Sequence, residues 1–381
     1  MATKMLIVPL LFSCFAGVCL SYNFAHQNPI RLPSDPPHGG FLDHLLFPRD
    51  GINAIYQFGD SISDTGNLVR ADPSSTNCGS WPYGQTFFHK PCGRCSDGLL
   101  IIDFFAKYMN IPMIDAYLNK EGNFTHGVNF AVAGATGLDI SVLQEKYNIS
   151  APTKLSLSVQ LQWFKSHLQS FYPNISERRI KLAKELFFMG EVRGNDYNFA
   201  FFQGIPLPNV YKMVPLVEII DLGATQIVIP DNFPIGCMPV YLTLFKTNDI
   251  TMYDEMKCLK EYNGHAQYHN DLLQQTIIEL QNDHPNITII YMDYFGALKE
   301  ILQHATLLGF DETVTQMACC GVHDNEYNVK MDVYCGFDGS FVCENPQEHI
   351  SWDGTHLTHQ AYHVMAKKLI PSLLDALHKV T

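Results

Sequence analysis

Ile52-Asn53-Ala54-Ile55-Tyr56-Gln57-Phe58 runs straight into Gly59-Asp60-Ser61-Ile62-Ser63-Asp64-Thr65-Gly66-Asn67, an apolar segment halted by a glycine and a cluster of turn-forming residues. A short apolar run bounded in this way reads as a buried parallel strand. Leu186–Met189, Thr225–Pro230 and Thr288–Met292 read the same way. Between these runs Leu157, Leu161, Phe164, Leu168 and Phe171 recur at spacings of four and three, which places them on one helix face. Asn209–Leu222, Tyr253–Gln281 and Thr358–His378 carry similar patterns, the last expected to bend at Pro371. Strands alternating with helices specify an α/β fold, a doubly wound parallel sheet with helices on both faces. Sites in such sheets form at the carboxyl ends of strands, so the turn that carries Ser61 is where chemistry is expected.

The chain has 381 residues, 46% hydrophobic and 17% charged, which supplies a large core and excludes a disordered chain. Lys and Arg number 25 against 38 Asp and Glu, for a formal net charge of −13. Phosphate binding needs a cationic face, so this balance argues against a nucleic-acid partner. The −13 counts 16 histidines as neutral. One unit below an imidazole pKa of about 6.5, roughly 90% of exposed rings are charged, and an acidic compartment would cancel most of the acid excess.

Met1–Ser21 combines Lys4, a nearly unbroken apolar run from Met5 to Leu20 and small residues at its end. That is the layout of a signal peptide, too short and too lightly flanked for a membrane anchor. No later segment reaches the ~18 apolar residues a membrane span needs. Residues 22–51 read as a flexible arm, and no repeat or low-complexity linker follows it, so residues 52–381 are expected to form one domain. Within the arm, Asn28-Pro29-Ile30-Arg31-Leu32 resembles the NPIR-type sorting sequence of plant vacuolar propeptides. The expected route is the secretory pathway, to the vacuole or alternatively the cell exterior. Sequons at Asn123, Asn148, Asn174 and Asn286 predict N-glycans on exposed loops. Of 11 cysteines, Cys14 and Cys19 leave with the signal, and an odd remainder leaves a free or intermolecular thiol. Cys319, Cys320, Cys335 and Cys343 lie close enough for local bridges, as do Cys92 and Cys95, with the connectivity open. Paired CxxC motifs at zinc spacing are absent, and no metal is expected.

A serine just past a buried strand, behind a permissive glycine, is placed like a nucleophile whose own N–H can face a developing oxyanion. Serine in a Gly/Asp-rich turn also serves plain turn chemistry. A nucleophile needs a base and an orienting acid. Trp352-Asp353-Gly354-Thr355-His356, ahead of the last amphipathic stretch, offers both: Asp353 can hold Nδ1–H of His356 while Nε2 faces Ser61. His265 and His269 stand four apart on an expected helix without an evident third ligand, and are expected to face solvent or a polar seam. Aromatics at Phe199–Phe202 are candidates to line an acyl pocket.

From Ile52 to about Leu374 the chain resembles the plant GDSL esterase/lipases of the SGNH hydrolase superfamily. Four blocks occur in the family's order: Phe58–Asn67, Asn129-Phe130-Ala131-Val132-Ala133-Gly134-Ala135-Thr136, Gly194-Asn195-Asp196-Tyr197 and Asp353–His356. Pro82-Tyr83-Gly84, Cys95-Ser96-Asp97-Gly98, Pro234-Ile235-Gly236-Cys237 and Cys319-Cys320-Gly321 fit as well. The resemblance implies a three-layer α/β/α flavodoxin-like fold around a central parallel sheet, and acyl transfer without metal or cofactor. It also implies Ser61 as nucleophile, His356 as base and Asp353 as acid. The implied oxyanion donors are the Ser61 and Gly134 N–H groups and the Asn195 side chain. Asp60, Asp64, Asn67 and Asp196 read as turn-forming and supporting groups. The family's usual Gly-x-Asn-Asp becomes Arg-Gly-Asn-Asp here. Arg193 then either points outward or reaches the crevice to pair with a substrate carboxylate.

An acyl-Ser61 intermediate can pass to water or to another alcohol, and the triad is the same in both cases. The family includes esterases of plant secondary metabolism and lipase-like acyltransferases that use chlorogenate as donor. The sorting sequence and the blocks favour the second group: caffeoyl transfer from one chlorogenate to another, with ester hydrolysis as the alternative. The expected partners are a small ester and an alcohol or water acceptor, with no obligate protein partner.

Overall fold

Leu186-Phe187-Phe188-Met189 carries no polar residue on either face, as a strand covered on both sides should. In the computed structural model, which describes residues 51–191, 193–205 and 223–378, this strand (β3) is the middle of a five-stranded sheet. The others are β1 (Ile55–Phe58), β2 (Gly127–Asn129), β4 (Gln226–Pro230) and β5 (Thr288–Met292). All neighbouring pairs are parallel and the order is β2-β1-β3-β4-β5. Four strands match the expected runs to within a few residues. β2 was not foreseen, because Gly-Val-Asn has no apolar run to announce it. The expected signal, the arm up to residue 50 and the expected helix Asn209–Leu222 lie outside the described residues.

Alternation along the strands sends side chains into two cores. Ile55, Leu186, Phe188, Val228 and Ile290 join one, with the helices Ile101–Tyr108, Tyr294–Gln303 and His359–His378. Tyr56, Phe58, Phe187, Met189 and Ile227 join the other, with the helices Leu157–Phe171 and Lys260–Asp283. The result is the expected three-layer α/β/α sandwich. Phe58, Phe130, Phe164 and Phe187 are fully buried against one another, each worth about 1.5–3 kcal/mol of transfer from water.

The long helix begins at Lys260 rather than Tyr253. Cys258, bridged to Cys237, and an antiparallel contact between Tyr253 and Leu259 hold the preceding residues extended. The last helix includes Pro371 and continues to His378. Cys319–Cys343 and Cys320–Cys335 are bridged. The connectivity left open around Cys92 and Cys95 resolves with Cys95 paired to Cys78, and Cys92 is the buried free thiol among the described residues. Its sulfur accepts from Nη1 of Arg94, which is paired to Asp103. No helix of the described residues is long and apolar enough to cross a membrane.

Candidate active site

The strand order reverses at β1, where β2 lies on one side and β3 on the other, and in such sheets sites form beyond the carboxyl ends at that point. Three chain segments leave those ends. Ser61 follows β1, Gly134 follows β2, and Arg193–Asn195 follow β3. Close approach of the first and third depends on glycine. Gly59 has φ 145°, and a Cβ there would lie 3.1 Å from Gly190 Cα; a Cβ on Gly190 would lie 2.6 Å from the Phe58 carbonyl oxygen. Gln160 clamps the turn, accepting from the Gly59 N–H (2.9 Å) and donating to the Gly59 carbonyl (2.8 Å).

The two aspartates of the serine turn are structural glue, as expected. Buried Asp64 accepts four backbone N–H groups: Gly66 (2.7 Å), Asn67 (2.5 Å), Leu68 (3.0 Å) and Ala133 (2.8 Å). It thereby ties the serine turn to the segment holding Gly134. Asn67 completes the joint by donating to the carbonyls of Asn129 and Ala131, both at 2.8 Å. Asp60 accepts from the Ile62 N–H (3.0 Å) and from Asn195 (3.1 Å). Burial pushes its carboxyl up to about 6.

Asp353 and His356, 292 and 295 residues away in the chain, meet Ser61 from the loop before the last helix. His356 Nε2 lies 2.8 Å from Ser61 Oγ, and its Nδ1 lies 2.7 Å from Asp353 Oδ2. The N–H groups of Thr355 and His356 hold Asp353 Oδ1 at 3.0 and 2.8 Å, so the Asp-x-x-His turn orients its own acid. Burial works to raise the Asp353 carboxyl, but the facing His356 and these donors hold it below the usual carboxylate value. Burial works to lower His356, yet Asp353 and then Asp60 raise it above the ordinary imidazole value. A hydroxyl hydrogen-bonded to an imidazole whose far nitrogen is held by a carboxylate can lose its proton as it attacks a carbonyl.

The Ser61 and Gly134 N–H groups donate to no acceptor among the described residues. Gly134 has φ 74°, a left-handed backbone that points its N–H without the strain a side chain would add. Asn195, buried at the start of the helix Gly194–Phe202, donates Nδ2 to Asp60 Oδ2 and to the Ala135 carbonyl (3.0 Å). Its neighbour Asp196 accepts from the N–H groups of Gly137 (2.7 Å) and Leu138 (3.0 Å). The first turn of that helix therefore grips the loop after β2.

Arg193 departs from the first expectation: only 2% of it is exposed, so it does not point outward. Its φ of 72° is a conformation that suits the glycine usual at this position in the resembled family. The side chain lies across Gly137, where a Cβ would come within 2.5 Å of Arg193 Cγ. Burial lowers its pKa, while the charge of Asp196 opposes this. Nε and Nη1 have no hydrogen-bond partner among the described residues. His265 and His269 are likewise buried rather than solvent-facing, packed on Tyr197, whose hydroxyl sits 2.9 Å from His269 Nδ1. The rings supply apolar faces to a core that the four-residue spacing alone did not reveal. Phe199–Phe202 divide similarly: Phe201 is buried, packed on Tyr241, Tyr262 and His265. Cys319, Cys343 and His349 bring donor atoms within 4.8 Å of one another, but the two sulfurs are bonded to each other and are not ligands.

Two groups escaped the sequence reading. Tyr83 donates its hydroxyl to Asp353 Oδ2 at 2.8 Å, across 270 residues of chain. Glu191, just beyond β3, has a buried Oε1 and feels the charges of Asp60 and Asp231; desolvation, then those charges, push its carboxyl well up. The Pro82-Tyr83-Gly84 block contains Tyr83 without revealing its partner, and no local pattern marks Glu191.

The sequence profile of the GDSL-like lipase/acylhydrolase family matches residues 55–369. Acetylajmalan esterase 1 of Rauvolfia serpentina is 40% identical over 340 residues, which span 85% of this chain and 87% of that protein. Acetylajmalan esterase 2 of the same plant is 41% identical over 345 residues, 87% of this chain and 92% of its own. A GDSL esterase/lipase of Arabidopsis thaliana is 41% identical over 330 residues, 83% of this chain and 81% of its own. With a parallel α/β sandwich, this site geometry and these relatives together, the chain belongs to the GDSL-like lipase/acylhydrolase family and is a serine-hydrolase-type esterase.

Proposed function

We propose that the protein hydrolyses small carboxylic esters of plant secondary metabolism through an acyl-Ser61 intermediate. The observation that carries this is the continuous chain Ser61 Oγ–His356–Asp353, at 2.8 and 2.7 Å, beside two undirected N–H groups. Ser61 Oγ attacks the ester carbonyl while His356 Nε2 takes its proton. The Ser61 and Gly134 N–H groups and Asn195 receive the oxyanion, and the imidazolium returns the proton to the departing alcohol. Water then attacks the acyl-serine by the same route and releases the acid. Asp353 fixes the ring and balances its charge. Arg193 is buried under the influence of the Asp196 charge and is assigned no chemical step.

Water is placed ahead of an alcohol acceptor because the three relatives above bear esterase names, two of them acetylajmalan esterases. Their names also make acetyl esters the first substrates to try. Caffeoyl transfer between chlorogenates uses the same chemistry with a different acceptor. The exposed sequons at Asn123, Asn148, Asn174 and Asn286 and the four disulfides suit passage through the secretory pathway, with the vacuole as the proposed destination. The test is incubation of the purified protein with an acetylated alkaloid ester and, separately, with chlorogenate alone. Free acid in either mixture supports hydrolysis. A dicaffeoyl product transfers the assignment to acyl exchange, and no Ser61-dependent turnover of any ester rejects the proposal.

A further inference from the structure

Asp353 Oδ2 receives two donors at once: Nδ1 of His356 at 2.7 Å and the hydroxyl of Tyr83 at 2.8 Å. Tyr83 is 4% exposed, its ring set edge-on to Trp352 at 6.0 Å, so the hydroxyl has a fixed aim. An ionised carboxylate only accepts, hence the hydroxyl donates. We infer that Tyr83 is a positioning residue of the reaction: by donating to the oxygen that serves His356, it weakens the carboxylate's hold on the imidazolium and keeps the base unprotonated to lower pH.

The physical argument rests on competition for one oxygen. Electron density drawn toward the Tyr83 hydroxyl is not available to Nδ1–H, and the pair that stabilises charged His356 is weaker for it. Burial, followed by the charge of Asp353, raises the phenol well above its ordinary value, so Tyr83 stays a donor throughout the working range. The other charged or titratable groups near the pair are identifiable. Asp60, on the serine turn, favours charged His356. Tyr362, on the last helix, feels the charge of Asp353, and its hydroxyl is aimed at the Leu357 N–H. Ser61 occupies Nε2. Among these, Tyr83 is the group that bonds to the same carboxylate oxygen as the ring.

This inference rests on the triad proposed above and adds a residue to it. The experiment is the pH dependence of kcat/KM for p-nitrophenyl acetate, whose acid limb reports the base in the free enzyme. Tyr83→Phe is expected to move that limb up by about 0.5–1 unit. Well below the limb its kcat/KM should fall about three- to tenfold, while the plateau and KM change little. 3-Fluorotyrosine in place of Tyr83 makes a stronger donor without emptying the site and should move the limb down. It decides the matter if Tyr83→Phe does not fold. A uniform loss with an unmoved limb, or shifts of the reverse sign, overturns the role of Tyr83. Absence of Ser61-dependent turnover in the wild-type enzyme would instead reject the proposed function.

Discussion

Asn195→Ala isolates the contribution of the side chain proposed for the oxyanion site, and the structure sets its expected size. Deleting one oxyanion donor ordinarily costs about 2.7–4 kcal/mol, or 10²–10³ in kcat. Here the amide is not idle at rest: Nδ2 already serves the Ala135 carbonyl at 3.0 Å and Asp60 Oδ2 at 3.1 Å. Turning to an oxyanion means giving up or sharing one of these bonds, which offsets about 1 kcal/mol of the gain. The expected net loss is about 2 kcal/mol, close to 30-fold in kcat at 25 °C, with KM changed by less than about threefold. Asn195→Asp should lose more than Asn195→Ala, because it sets a second carboxylate against Asp60 and the developing charge. Steady-state hydrolysis of p-nitrophenyl acetate measures both variants. Each should first be shown folded, since the two lost bonds lower Tm by roughly 3–6 °C. A loss below about threefold in kcat, or one carried by KM, refutes the assignment of Asn195 to the oxyanion.

Three more outcomes follow from the same geometry. His356 is raised above 6.5 by Asp353 and Asp60 against the pull of burial, so kcat/KM should decline as pH falls through a single limb lying above that value; a flat profile from pH 4 to 7 contradicts His356 as base. Burial, then the charges of His265 and Arg193, lower His269 to about 3. Because the unfolded chain takes up that proton first, stability drains as pH falls from about 6.5 toward 3, and His269→Gln should flatten the slope of urea-unfolding free energy by about 1 kcal/mol per pH unit, whereas an unchanged slope places the ring elsewhere. Asp64→Ala leaves four backbone N–H groups without their acceptor and should cost roughly 3–5 kcal/mol, seen as a fall in Tm of about 10 °C, with most activity lost as the Gly134 segment loosens.

The sheet was legible because buried parallel strands are written as apolar runs, and the proposed nucleophile and base were legible as candidates because each sits in a short contiguous turn. What lay hidden is what depends on distant partners. β2 is three residues, Gly-Val-Asn, held as a strand by β1 rather than by its own propensity. Tyr83 reaches Asp353 across the fold, and nothing near Tyr83 in the chain foretells it. Local spacing suggested a bridge between Cys92 and Cys95, but chain geometry delivers Cys78 to Cys95. Histidine burial was invisible too. His167, His265 and His359, held to about 4, and His269, held to about 3, keep their protons off in a mildly acidic compartment. The acid excess of the chain is therefore cancelled less fully there than 16 exposed imidazoles would allow.

The account stands most directly on Ser61. Reaction with a fluorophosphonate, followed by digestion and mass spectrometry, should place one phosphonyl group on the peptide that contains Ser61. Ser61→Ala should abolish both the label and ester turnover. Labelling of a different residue, or turnover that survives in Ser61→Ala, would contradict it.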